Sequence, residues 1–258
     1  MVPTMGALHQ GHLELIRKSV EMNDHTVCSI YVNPVQFNDK QDLINYPRDI
    51  DSDIEKLSEH GCDAVFCPAD DIMYPHQPVL TIDFGRLEQV MEGRHRPGHF
   101  GGVALVVSKL FNMVKPDRAY FGEKDWQQLI IIQQLVNDLS YQLEIVSVPI
   151  KREPDGLAMS SRNQRLTSDH RAVAGELFSA LSQVKNAIEQ HTDLQSARAI
   201  GINYLKQHPA VQLEYLEIVQ AFTLDAPAAD LGTEPLSVCL AAMLGKVRLI
   251  DNVQVFID

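Results

Sequence analysis

The sequence has no apolar run approaching the roughly 18 residues that a membrane-crossing helix needs, and no positively charged stretch leading into an apolar one at its start. The first lack argues against a helical membrane protein; together they predict a soluble, cytoplasmic chain. Cysteine is scarce: Cys28, Cys62, Cys67 and Cys239 are scattered without C-x-x-C spacing. That excludes a disulfide framework and a cysteine-type zinc site, and predicts buried free thiols. Positive charge is short as well, with 22 Lys and Arg against 34 Asp and Glu and a formal net charge of −12. Phosphate backbones and anionic membranes are bound by clustered cations, so neither is an expected partner, and a tRNA-binding enzyme is disfavoured. A few local cations, Lys124, Arg152 and Arg162, can still dominate a closed site for a small anion. There is no G-x-S-x-G elbow and no cysteine beside a glycine-rich turn, so no protein nucleophile is signalled. Internal repeats and low-complexity tracts are also missing.

What is there is a chain of 258 residues, 45% hydrophobic, long enough to bury a core as one large domain or as a large and a small one. Strand-like apolar runs alternate with helical periods. Thr26 to Val32 reads as a strand, Ile50, Ile54 and Leu57 as a helical stripe, and Cys62 to Cys67 as a strand again. Val103 to Val114 reads as a helix, Arg118 to Phe121 as a short strand entering Gly122, Trp126 to Leu139 as a helix and Leu143 to Val148 as extended. This alternation predicts an α/β fold, a Rossmann-like parallel sheet with helices on both faces and ligands at the carboxyl ends of its strands. From about residue 151 the texture changes to long helical segments, Ser168 to Gln190 and Leu194 to Gln207, then extended runs at Leu213 to Ala221 and Leu236 to Ile250. A smaller C-terminal α+β domain over 151–258, hinged near Pro149 to Pro154, is expected beside a domain over 1–150. Residues 225–230, with a proline among small residues, read as a loop.

The segment Pro3-Thr4-Met5-Gly6-Ala7-Leu8-His9-Gln10-Gly11-His12 reads as a strand that breaks into a glycine-flanked turn and opens a helix. Thr4 and Gly6 suit a close backbone approach to a ligand. Gly11 lets the helix begin tight against it, with amide groups and the positive dipole end facing an anion. His9 and His12, three apart, share one face of the first turn, and either can donate to a phosphate oxygen. H-x-G-H is the HIGH form of a class of nucleotidyl-transferring enzymes. A second segment, Met159-Ser160-Ser161-Arg162-Asn163, resembles the mobile K-M-S-K-S loop of that class, with two hydroxyls and a guanidinium able to close over a triphosphate. The chemistry requires the two motifs to meet in space.

Between them lie three further blocks, Tyr31 to Phe37 (Y-V-N-P-V-Q-F), Arg96 to Val103 (R-P-G-H-F-G-G-V) and Ala119 to Leu129 (A-Y-F-G-E-K-D-W-Q-Q-L). With five blocks in this order the chain strongly resembles the pantothenate synthetase (pantoate–beta-alanine ligase) family, densely from Val2 to about Arg171 and weakly beyond. Family members carry further residues ahead of the first motif, including most of the first strand. With only Met1 and Val2 ahead of Pro3, either the start lies upstream or the central strand is very short.

The resemblance implies ATP-dependent condensation of (R)-pantoate with β-alanine to pantothenate through a pantoyl adenylate, releasing pyrophosphate and AMP. It also implies a homodimer. His9, His12 and Lys124 would be the catalytic groups, neutralising charge on the phosphoryl oxygens. Met5, Gly6, Gly11, His12, Gly122, Lys124, Asp125, Lys151, Met159, Ser160, Ser161 and Arg162 would hold ATP, with Asp125 accepting a ribose hydroxyl. Gln36 and Gln128 match the family's pantoate-binding glutamines, since amides both donate to and accept from a carboxylate and hydroxyls. Asn33 is either a third contact or a turn residue before Pro34. Gln127, on another helical face, points elsewhere, and Phe37 and Met5 supply apolar walls. Magnesium is expected with ATP. Its candidate protein ligand is Asp53, which a favourable helix-start position explains equally well. His95 and His99 read as loop residues rather than metal ligands. Two other readings remain: another HIGH-motif nucleotidyltransferase, which has no reason to carry Gln36 and Gln128, and a non-catalytic nucleotide-binding regulator, against which the intact His9, His12, Lys124 and Ser160 to Arg162 speak.

Overall fold

The structure, a computed structural model, describes residues 1–38, 40–228 and 234–256. Residues 229 and 230 of the predicted loop lie outside that range. The chain forms two compact units, one made of Met1–Glu123 with Gln127–Ile150, the other of Lys124–Trp126 with Lys151–Asp258.

The first unit runs β1 (Val2–Thr4), α1 (Gln10–Met22), β2 (Val27–Ile30), α2 (Lys40–Ile44), α3 (Ile50–Glu59), β3 (Ala64–Phe66), α4 (Asp70–Met73), α5 (Met91–His95), α6 (His99–Val114), β4 (Arg118–Gly122), α7 (Trp126–Asp138) and β5 (Glu144–Val148). Strands β1, β2 and β3 pair in parallel with β2 in the middle, and β4 pairs with β5 in parallel. Two backbone bonds join the sets: Met1 N donates to Arg118 O at 2.7 Å, and Tyr120 N donates to Met1 O at 3.0 Å. That is the alternation of a parallel ladder, so the strand order is 3-2-1-4-5 and the order reverses between β1 and β4. Doubly wound sheets bind ligands at this switch, outside the carboxyl ends of the strands. β1 is three residues long. Val2, Leu15, Ile16, Cys28, Leu57 and Tyr120 fill the core around it.

Helix α6 is buried almost all round, through Phe100, Val103, Ala104, Leu105, Val106, Val107, Leu110 and Phe111. In α3 the predicted stripe is displaced. Ile50 and Ile54 are exposed, and the buried positions are Asp53 and Leu57. The reason is a polar task for Asp53, which outweighs the burial of an isoleucine on the adjoining face. The short helices α2, α4 and α5 were not expected; too few residues form each to show a period.

In the second unit, α8 (Ser168–Ala174), α9 (Glu176–Glu189) and α10 (Leu194–Leu205) accompany an antiparallel sheet of β6 (Val211–Gln220), β7 (Leu236–Leu244) and β8 (Val247–Val255), with β7 central. The helix predicted as continuous over 168–190 is divided at Gly175, the residue type that supports a helix least apart from proline. The run predicted as extended over 236–250 is a hairpin. Leu244 faces Val247 across Gly245 and Lys246, and Gly245 has φ +60°, the positive φ that a two-residue hairpin turn demands. Leu177, Leu181, Val184, Leu216, Leu240 and Leu249 lie in this unit's own core. The thiols are all free, but only Cys28 and Cys239 are buried; Cys62 is half-buried and Cys67 exposed, because these two flank β3 instead of lying within it. Among the described residues no helix is long and apolar enough to cross a membrane.

Candidate active site

In the first unit the chain leaves β1 through a turn whose donors are nearly all spoken for. Gly6 N donates to Thr4 Oγ1 at 3.2 Å, and Ala7 N and Leu8 N donate to Oδ2 and Oδ1 of Asp53, each at 2.7 Å. Asp53 is 1% exposed, and Lys56 Nζ lies 3.9 Å from its Oδ1. A buried carboxylate with both oxygens accepting backbone amides is a clamp on this turn. Each Asp53 oxygen thus accepts one amide of the loop with a cation nearby, a use within the protein that stands beside the candidate magnesium role. Among the described residues no group of three or more His, Cys, Asp or Glu side chains is arranged to hold a metal ion. Asp53 also explains Gly6, whose φ is +77° and where an added Cβ would stand 2.9 Å from Asp53 Oδ2. Met5, at the mouth of the turn, is half-buried.

His9 is the N-cap of α1, and its Nδ1 accepts from Gly11 N at 3.1 Å. The Gly11 amide thus serves the cap in this structure. In return His9 N donates to Nδ1 of His12 at 3.4 Å, and the two rings lie 4.1 Å apart. A nitrogen that accepts carries no proton, so both neutral imidazoles have N–H at Nε2. The pair is built as two preset Nε2–H donors on the helix terminus, where the dipole favours an anion.

Beyond β2, the turn Pro34–Gln36 is capped by Asn33. Backbone partners settle which way the Asn33 amide points: Val35 N donates to Oδ1 at 3.4 Å, and Nδ2 donates to Gly102 O at 3.2 Å. Oδ1 also accepts from the Tyr74 hydroxyl at 2.8 Å, and Nδ2 donates to Gln36 Oε1 at 3.0 Å. Burial pushes the Tyr74 phenol up to about 12, so it stays a donor at neutral pH. With both donors and both lone pairs used, the Asn33 side chain serves the turn in this structure, and it also orients Gln36. Because Gln36 Oε1 accepts, its Nε2 is the end turned towards Met5, whose Sδ is 3.2 Å away and a weak acceptor. The Gln36 carbonyl is held at 2.8 Å by His99 Nδ1, while His99 Nε2 faces Arg96 Nη1 at 3.1 Å. His95 and His99 lie in α5 and α6, so they are helical, not loop residues. Gly102 is needed for this contact, since a Cβ there would lie 2.8 Å from Val35 O and 2.9 Å from Gln36 Cα. The supporting role of Tyr74 carries no signal in a single sequence, while His99 and Gly102 fall in the R-P-G-H-F-G-G-V block, which marks the residues but not what they hold.

Gly122 ends β4, and a Cβ placed on it would meet nothing within 4 Å. On α7, Gln127 is consumed by the loop before α5, donating to Leu87 O and Val90 O and accepting from Glu92 N. Gln128, its neighbour on the next face, is half-buried and its side-chain amide has no hydrogen-bond partner among the described residues.

In the second unit, Lys124 and Asp125 lie in the turn Glu123–Asp125 that follows β4, with Lys124 Nζ 3.7 Å from Asp125 Oδ2. The Lys124 side chain is 18% exposed and that of Asp125 48%. A tight hairpin carries the M-S-S-R-N segment: Met159 N donates to Lys151 O at 2.9 Å, and Glu153 N to Leu157 O at 2.8 Å. Lys151 is exposed. Ser160 caps a 3₁₀ turn over Ser161–Arg165 by accepting from Arg162 N, and Ser161 is buried. Arg152 is not a site cation. Its guanidinium grips Asp251 bidentately at 2.6 and 3.0 Å, donates to Gly156 O and Asn252 O, and stacks 3.9 Å from the Phe178 ring. Burial pushes the Asp251 carboxyl up and Arg152 pulls it back.

A doubly wound sheet with a clamped glycine turn and paired histidines at a helix N-terminus is the build of a nucleotide-handling α/β protein. The Pantoate-beta-alanine ligase profile matches residues 1–254. Pantothenate synthetase of Cytophaga hutchinsonii is 48% identical over 257 residues, covering 99% of this chain and 91% of the relative. That of Corynebacterium glutamicum is 48% identical over 98% of this chain and 92% of its own length. The crystal structure of pantothenate synthetase from Thermus thermophilus superposes with a TM-score of 0.93 at 41% identity, over 99% of this chain and 92% of that one. The pantoate-beta-alanine ligase of Francisella tularensis, complexed with beta-gamma ATP and beta-alanine, gives 0.80 at 36% identity, over 98% and 87%. The chain belongs to the pantoate–beta-alanine ligase family.

Proposed function

We infer that the protein is an AMP-forming ligase that joins (R)-pantoate to β-alanine at the expense of ATP. Membership of the family supports the activity. The observation that carries the mechanism is the mutual capping of His9 and His12, which presets two Nε2–H donors at the start of α1. An amide does not form from a carboxylate and an amine in water until the carboxylate oxygen is made a good leaving group. The pantoate carboxylate attacks the α-phosphorus of ATP and pyrophosphate departs; the amine of β-alanine then attacks the acyl carbon and AMP departs.

In this reading His12, with His9, donates to phosphoryl oxygens as charge builds in the first step, and Lys124 adds a compact cation. Ser160, Ser161 and Arg162 bind the β- and γ-phosphates. Met5, Gly6, Gly11, Gly122, Asp125, Lys151 and Met159 line the nucleotide. The Gln36 Nε2 donor and the unpartnered Gln128 amide take the hydroxyls and carboxylate of pantoate. Residues 1–150 then form the ATP- and pantoate-binding domain, and 151–258 the domain that carries the M-S-S-R-N loop. Magnesium arrives with ATP on its phosphate oxygens, and the clamp on the turn is the use of Asp53 that its observed bonds support. A homodimer in the cytoplasm completes the proposal, supported by the resemblance to the family. Incubation with ATP, pantoate and β-alanine should yield pantothenate, AMP and pyrophosphate in equal amounts. Formation of ADP and phosphate instead would refute the adenylate route.

A further inference from the structure

Resting on the reading of Lys124 as a catalytic cation, we propose that Asn252, far along the chain on β8, is a positioning residue for that lysine. It would act jointly with its neighbour Asp251 to set the lysine turn and the base of the M-S-S-R-N hairpin on one strand. Asn252 is 3% exposed, and its Nδ2 donates to the carbonyl of Lys124 at 3.0 Å. The amide cannot be turned round, because Gln254 Nε2 donates to Asn252 Oδ1 at 3.1 Å and a carbonyl accepts only from the Nδ2 end.

The turn is pinned a second time, two residues on, where Trp126 Nε1 donates to Ala221 O at 2.7 Å beneath a tilted contact with Phe222. The lysine's own carbonyl and the residue two further on are thereby held, so the backbone leaving the lysine is fixed at two points. Asp251, one residue earlier on the strand, accepts both guanidinium nitrogens of Arg152, at the foot of the hairpin ending in Met159 to Arg162. Successive side chains of a strand face opposite ways, so this dipeptide holds one element with each. Their register is set by pairing to the central strand, Leu240 opposite Asp251 and Cys239 opposite Asn252. Two groups that must address one triphosphate are thus indexed to adjacent residues of a rigid strand. An error near 1 Å in such placement costs on the order of 10²-fold in rate.

The test is a double-mutant cycle on pantoyl adenylate formation in single turnovers, with Asn252→Ala, Lys124→Ala and the pair. Asn252→Ala should slow the chemical step about tenfold or more, leave the KM for pantoate unchanged, and add nothing further in the Lys124→Ala background, where there is no ammonium left to place. Equal fold-losses of Asn252→Ala in both backgrounds, or a wild-type rate for Asn252→Ala beside an impaired Lys124→Ala, would overturn the positioning role. A Lys124→Ala enzyme at the wild-type rate overturns the reading of the lysine itself, which is a different result. Asn252→Ser, too short to reach the Lys124 carbonyl, is read by the same criteria should the alanine variant not be recovered folded.

Discussion

At the scale of single residues, what distinguishes a group that works on substrate from one that works on the protein is whether its hydrogen-bonding capacity is already used. Asn33 is saturated by backbone and neighbours, Gln127 has both amide donors and its carbonyl engaged, and Asp53 accepts a loop amide on each oxygen; Gln36 keeps a donor against a weak sulfur acceptor, and the Gln128 side-chain amide has no partner among the described residues. Gln36→Ala and Gln128→Ala should each weaken pantoate binding by about 1–3 kcal/mol, because substrate polar groups lose their partners, while ATP binding holds. Titration calorimetry with each ligand checks this; equal losses for both would contradict the placement. His12→Ala should lower the single-turnover rate of adenylate formation by about 10²–10³ with little change in ATP affinity, since a preset donor acts on charge that appears in the transition state. A normal chemical step with poor ATP binding would make His12 a nucleotide anchor.

Residue types and spacing mark His9, His12 and Lys124 as candidates, and the resemblance to the family adds Gln36. They could not separate Asp53 as ligand from Asp53 as clamp, because both uses ask for an acidic residue near a helix start. The clamp's partner, the Ala7 amide, lies 46 positions away, and nothing local encodes that pairing.

At the scale of elements, the turn between β1 and α1 is stiffened from outside itself. Asp53 reaches it from α3, and Gly6 provides the room. Asp53→Ala should therefore cost about 2–4 kcal/mol of folding stability by leaving two buried amides unpaired, seen as a lower midpoint in urea. Asp53→Asn should leave unchanged the magnesium concentration that gives half-maximal activity; a raised requirement would restore Asp53 as a metal ligand.

Elements were legible where a period could be counted over many residues, as in α6 and α7, or where strand residues ran together, as in β2, β4 and β5. The division at Gly175 and the hairpin at Gly245 were missed because helical or apolar patterning continues straight through both. Chain direction there is set by one residue's backbone, not by a pattern. The misplaced stripe in α3 has a different origin, a buried charge taking a position that hydrophobic periodicity assigns to an apolar side chain.

At the scale of the whole molecule, each of the two units has its own core and its own share of the proposed chemistry. The α/β class and the change of texture near residue 150 could be read from the order of apolar runs. The transfer of Lys124 to Trp126 into the second unit could not, for it depends on Asn252 and Ala221, each about a hundred positions away or more. The proposed reaction gives this assembly one signature that separates it from other nucleotide-handling enzymes of similar build: the first step needs pantoate and not β-alanine. The measurement that tests it most directly is exchange of labelled pyrophosphate into ATP by the purified protein. Exchange that appears when pantoate is added, with no β-alanine present, is the predicted result; exchange that proceeds without pantoate, or only once β-alanine is supplied, would contradict it.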